Sequence, residues 1–149
     1  MLSSLIITRP LPRRRPRVSW VTMALLAFLS FGALYGGWAL ITAAPGEAPM
    51  GMPLEFLRNT PFTSYFIPGL ILFGLFGVGS LVGIALGLAR HWSAPYLAFA
   101  LGVGQMIWIV VQYLLIQVYF YLQPIMFGVG LLIALAAFLW WWAVRAFRT

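Results

Sequence analysis

Residues 66–89 read FIPGLILFGLFGVGSLVGIALGLA, and this stretch decides the fold class. It carries no charge, and its only hydroxyl is Ser80. A helix rises 1.5 Å per residue, so about 20 residues cross a hydrocarbon layer of ~30 Å. Backbone groups in hydrocarbon must bond within their own segment, which an α-helix does and an isolated strand does not. The stretch also lacks the alternation over ~10 residues that marks a membrane β-strand. It predicts a membrane-spanning helix.

Three further stretches read the same way, over residues 18–43, 94–122 and 125–144. Arg90, His91 and Trp92 join the second helix to the third, and Gln123 and Pro124 mark the turn from the third to the fourth. Only the first connection, 44–65, is long. Short links place consecutive helices side by side, so the expectation is an all-α, up-down bundle of four transmembrane helices over 18–144. An Arg-rich tail, 1–17, precedes it and a short tail, 145–149, follows.

Composition agrees. Of the 149 residues, 63% are apolar and 7% are charged, and mean hydropathy is +0.99. A soluble domain carries about 25% charged residues, so this chain could not clothe a water-facing surface. Disorder requires the opposite composition. There is no cysteine, which excludes disulfides and thiolate chemistry. There is no lysine or aspartate either, and nine arginines against Glu47 and Glu55 give a net charge of +7.

Arginine placement sets the expected orientation. Arg9, Arg13, Arg14, Arg15, Arg17, Arg90, Arg145 and Arg148 fall on one side of a four-span arrangement, and Arg58 with both glutamates on the other. The positive-inside rule then puts both termini in the cytoplasm. Arg13, Arg14, Arg15 and Arg17 are expected to contact anionic lipid headgroups. That reading explains the basic tail without nucleic acid. The apolar run after the tail is too long for the 7–15-residue core of a secretory signal, so it is read as a retained helix. Trp20, Trp92 and Trp140 to Trp142 are expected at the cytoplasmic border, and Trp38, Tyr65, Tyr119 and Tyr121 at the outer one.

Small and polar residues suggest the packing. Gly79, Gly83 and Gly87 repeat every four residues, which places them on one helix face and admits a close neighbour. Gly32 and Gly36 repeat the pattern in the first helix, and Ala98 and Gly102 in the third. Such faces serve either internal packing or docking of another membrane protein. Gln105 and Gln112, seven residues apart, share a face of the third helix, with Trp108 close to mid-membrane. A buried amide needs a partner, and Ser30, Tyr35 and Ser80 are the candidates. The stripe is either interhelical glue or the wall of a polar pocket. In the first loop, Pro53 can open a short helix through about Arg58, with Leu54, Phe56, Leu57 and Phe62 against the bilayer surface. That loop either covers the bundle or acts as a lid.

Reactive groups are scarce. His91 stands at the border without a second histidine or a nearby acid, so it reads as an unliganded interfacial residue, and no metal or other cofactor is expected. Ser80 and His91 are 11 residues apart, about 16 Å along one helix axis, which is too far for a serine–histidine dyad. No helix carries the intramembrane acid that marks a proton or ion pathway. That absence argues against a coupled pump, and with no dyad and both glutamates in the outer loop the chain is expected not to be an enzyme. The leading expectation is a structural or accessory membrane subunit that packs through its glycine faces against other membrane proteins or itself. The alternative is a small-molecule or lipid binding or permeation protein, with its pocket at Gln105, Trp108 and Gln112.

Three segments carry a resemblance: Pro61-Phe62 with Tyr65-Phe66-Ile67-Pro68-Gly69, then Trp108-Ile109-Val110-Val111-Gln112, then Leu122-Gln123-Pro124. Over about residues 53–140 the chain resembles small four-helix integral membrane proteins of bacteria that have no assigned activity. The resemblance implies a bacterial plasma membrane and four spans, and nothing about a substrate.

Overall fold

The computed structural model describes residues 11, 14–43, 49, 53–58 and 60–147. Arg13, one of the four arginines expected at the lipid surface, lies outside the described residues, as does Glu47. All the regular structure among the described residues is helical. Helix α1 spans Arg17–Thr42, α2 Phe66–Leu88, α3 Ala94–Ile116 and α4 Leu122–Ala146. These have 26, 23, 23 and 25 residues and are long and apolar enough to cross a membrane. At 1.5 Å per residue they measure about 35–39 Å, longer than the ~30 Å hydrocarbon layer.

Helix α1 packs between α2 and α4, and α3 packs between α4 and α2, while α1 and α3 barely touch. Each helix presents one stripe to the centre. In α1 the stripe is Met23, Leu26, Leu29, Ser30, Ala33, Gly37 and Leu40, all buried and spaced by three or four residues. The core joins Leu26, Leu29 and Ala33 to Phe76, Ala98, Leu101, Ile133 and Ala137. The rest of the surface is apolar too, with Phe31, Trp38, Leu114 and Leu132 among many exposed large side chains. Exposure of this kind suits lipid and not water.

Helix α2 is not uniform. An α-helical start, Phe66–Ile71, gives way to a π-helical segment, Leu72–Val78, before α-helix resumes over Gly79–Leu88. Gly74 and Gly77 lie within the widened turns, where the missing side chains ease the change of pitch. The wider coil meets α1 closely. A methyl group placed on Gly37 would stand 2.7 Å from the Phe73 backbone nitrogen, and one on Gly77 2.6 Å from Leu34 Cδ2.

Helix ends differ from expectation at the third connection. Helix α3 stops at Ile116 and not at 122, because Gln117 takes a left-handed conformation (φ 56°) and its N–H bonds back to Tyr113 O at 2.9 Å. Helix α4 then begins at Leu122, three residues before the expected start. Gln123 and Pro124 therefore lie inside its first turn, where proline's missing donor costs nothing. The Gln123 amide fixes this entry by accepting from Phe120 N at 3.2 Å. In the first loop the expected short helix forms as a 3-10 turn over Leu54–Leu57, between Pro53 and Arg58. Leu57 packs with Leu40 and Tyr65, and the Tyr65 hydroxyl donates to Pro53 O at 2.6 Å. Phe56 meets Phe120 edge-on, at 5.8 Å between centroids.

Candidate functional site

Three places concentrate unusual chemistry: the polar centre, the glycine faces, and the arginine-rich end of the bundle.

In the centre, the Ser30 hydroxyl donates to Gly77 O at 2.9 Å across the α1–α2 contact. The π-helical segment supplies that carbonyl. Ser80 and Gln105 are also buried, at 0% and 2% exposure. Ser80 Oγ and Gln105 Oε1 have no hydrogen-bond partner among the described residues. The Trp108 ring leans on Phe76 at 6.2 Å, and Gln112 is half-buried one turn further out. The stripe therefore runs from the core at Gln105 toward the edge at Gln112. Ser30 is committed to α2, and Tyr35 points outward, so neither serves as the expected amide partner.

The zipper of α2 is filled by this chain's own side chains. Methyl groups on Gly79, Gly83 and Gly87 would stand 3.3 Å from Leu101 Cδ2, 3.2 Å from Leu26 Cδ1 and 2.8 Å from Met23 Sδ. Gly36 faces Leu72 Cδ2 at 3.3 Å in the same sense, whereas Gly32 faces open space. The closest approach of two helices lies elsewhere. A methyl group on Gly102 would stand 2.6 Å from Ala134 N and 2.7 Å from Gly130 O. Spacing marked Gly102 through Ala98, whereas the equivalent pair Gly130 and Ala134 in the fourth helix was not singled out.

The arginine end is built from four parts of the chain. The Leu11 N–H donates to Arg90 O at 3.0 Å, and Leu11 packs with Ala94, Trp140 and Val144. Arg15 Nη2 donates to Leu88 O at 2.7 Å, one of the carbonyls left open at the end of α2. Its guanidinium also lies over Trp20, 5.2 Å from the ring centroid. Arg90 closes α2 in a left-handed conformation (φ 56°), with Arg90 N on Gly87 O at 3.2 Å and His91 N on Leu86 O at 2.8 Å. This is the Schellman arrangement, with arginine at the position glycine usually takes. Between these parts lies a narrow crevice with room for about one water molecule, lined among others by Arg14, Arg15, Arg90, Ser19 and Trp140. Among the described residues no carboxylate lines it. Trp140, expected at the border with Trp20, Trp92 and Trp142, is a core residue 2% exposed, whereas those three are exposed. Arg17 is exposed and lies outside the crevice.

His91 is occupied locally. Its Nδ1 lies 2.6 Å from Ser93 Oγ and accepts from Ser93 N at 3.3 Å, and its ring stacks obliquely on Trp92. Among the described residues no three His, Cys, Asp or Glu side chains gather as a metal site. At the opposite end, burial raises the Tyr65 pKa above its ordinary value of 10.0. No protein-family model, curated protein or solved structure matches the chain.

Proposed function

We propose that this chain is a structural or accessory subunit of a bacterial plasma membrane, without enzymatic activity. It is inserted as an up-down four-helix bundle with both termini cytoplasmic and its arginine end against anionic headgroups. One observation carries the reading: four membrane-length helices spend most of their glycines on packing, and the surface left over is apolar. The zipper glycines 79, 83 and 87 are taken up within the chain, so contact with a neighbouring membrane protein, or with a second copy, falls to outward faces. The face of α1 bearing Gly32, between exposed Phe31 and Tyr35, offers the closest approach.

The test is extraction in mild detergent, a native gel, and mass spectrometry of the band that holds the chain. Migration within a stoichiometric assembly, lost in Gly32→Leu while the helical circular dichroism stays unchanged, is the expected result. Migration as a lone monomer would remove the reading.

The unpaired Gln105 Oε1 supports a second reading, in which the α3 stripe binds or passes a small polar solute. Liposome flux or a ligand-induced melting shift should then fall in Gln112→Leu. Equal signals in variant and wild type would leave this reading without support.

A further inference from the structure

We propose that the first loop is a strap that holds two helical hairpins together at the loop end of the bundle, and that its release lets them part there while they stay joined at the arginine end. The inference goes beyond the subunit reading and needs only that the four helices lie in a bilayer.

The bundle is two hairpins unevenly joined. Helix α1 packs most extensively on α2, and α3 on α4. Within each pair the backbones come close. Methyl groups on Gly37 and Gly69 would stand 2.7 Å from Phe73 N and 2.8 Å from Leu40 Cβ, and one on Gly102 2.6 Å from Ala134 N. Between the pairs, a shared core gathers Leu26, Leu29 and Ala33 with Phe76, Leu101 and Ile133. That core fills the middle of the bundle and the half toward the arginine end.

Toward the loop end it stops. Among the described residues, α3 has no buried side chain after Ile109, and α4 has none from Pro124 to Val129. Gln112 and Ile116 on α3, and Met126 and Val129 on α4, are only half-buried. In α2 the buried residue before Phe76 is Gly69, and Leu40 and Gly37 of its own hairpin cover it. Burial at this end therefore lies within the first hairpin, and no sealed core joins it to the second.

The strap crosses that seam. It is anchored on the first hairpin, where Leu57 packs with Leu40 and Tyr65, and the Tyr65 hydroxyl donates to Pro53 O at 2.6 Å. It reaches the second hairpin through Phe56, whose ring meets Phe120 edge-on at 5.8 Å, and the turn lies against α3. Phe120 belongs to the connection between α3 and α4, so one hairpin is tied to the turn of the other.

Solvent decides which contacts hold. Lipid tails are as apolar as the side chains they replace, so apolar faces part within a bilayer at little hydrophobic cost. The strap lies outside the four spans, where water drives apolar rings together. At the arginine end, Leu11 bonds Arg90 O and packs on Trp140 and Val144, which braces both hairpins. Parting at the loop end would uncover Gln112 first and Gln105, 2% exposed, last. The strap thereby sets access to the polar stripe of α3.

The chain has no cysteine, so two introduced cysteines are its only spin-label sites. Double electron–electron resonance on the whole protein in lipid nanodiscs, labelled chain diluted in unlabelled, reads the separation of the hairpins at each end. Thr42→Cys with Tyr121→Cys reports the loop end, and Val21→Cys with Trp142→Cys the arginine end; all four positions are exposed. Phe56→Ala removes the strap's ring, and Phe120→Ala removes its partner. Each should add a longer component to the loop-end distribution, by on the order of 5 Å, half the spacing of two packed helices. The share of that component should rise severalfold, up to about tenfold. The arginine-end distribution and the helical circular dichroism should stay as in wild type. Loss of helical signal in Phe56→Ala would leave Phe120→Ala, on the opposite hairpin, to decide. Loop-end distributions identical to wild type overturn the strap. Equal broadening at both ends overturns the hinge, because it shows a bundle loosened as a whole.

Discussion

Gly102→Ala tests the closest helix contact. The added methyl group would stand 2.6 Å from Ala134 N and 2.7 Å from Gly130 O. Ordinary contact begins near 3.4 Å, so the fit is short by about 0.8 Å. Both obstructing atoms are backbone, so no rotamer change relieves them. Helices α3 and α4 must separate locally, and a gap of 0.5–1 Å forfeits about a quarter to a half of each contact's dispersion energy. Overpacking of this kind costs about 1–3 kcal/mol. Alanine recovers about 1 kcal/mol of helix propensity over glycine. Gly128→Ala in α4 gains the same propensity and meets nothing within 4 Å, so it isolates the steric part. Gly102→Ala should therefore be less stable than Gly128→Ala by about 1–3 kcal/mol. Reversible unfolding in mixed micelles by added dodecyl sulfate, followed by circular dichroism, measures the difference. Equal midpoints, or a lower midpoint for Gly128→Ala, would refute the argument.

Other expectations follow from single contacts. Ser30→Ala loses the bond to Gly77 O and should cost about 0.6 kcal/mol in the same unfolding assay. Ser80→Ala, which removes an unpaired hydroxyl, should cost nothing or stabilise. Gln105→Leu should stabilise by about 1–3 kcal/mol, because it removes a buried amide oxygen that no group among the described residues satisfies. A loss of stability there would show that the amide has a partner in the membrane. Tyr65 is neutral in the folded loop, and burial raises its pKa above the ordinary value of 10.0. The loop cluster is thus intact below pH ~10 and loses stability as pH rises beyond it, since the unfolded tyrosine ionises first. The absorbance difference at 295 nm between wild type and Tyr65→Phe should titrate above the ordinary tyrosine range. A difference that titrates at or below that range would contradict the burial of this hydroxyl.

Hydropathy alone located four helices, because 18 or more uncharged residues have few alternatives. It misplaced the end of α3 because Val118, Tyr119 and Phe120 are as apolar as the helix before them. The chain turns there on the backbone of Gln117, and hydropathy is blind to backbone conformation. Spacing put Gly79, Gly83 and Gly87 on one face, and they do share one. Which neighbour covers that face depends on bundle order, and a single helix does not encode it. The contact of Gly102 with Gly130 needed two helices to be seen together. The crevice was legible only in part. Arg14 and Arg15 stood out as a basic run, but Arg90 read as a topology marker, and Leu11 among prolines and arginines gave no sign of docking on Trp140.

The bond from Arg15 to Leu88 joins residues 73 positions apart. At a synthesis rate of about 5–20 residues per second, roughly 4–15 s separate the appearance of the two partners. Through that interval the arginines of the tail have no intramolecular acceptor at the end of α2. Once the α2–α3 turn is complete, Arg15 becomes its clasp. The fastening of the tail to the bundle is therefore a late event, set by when translation delivers the end of α2.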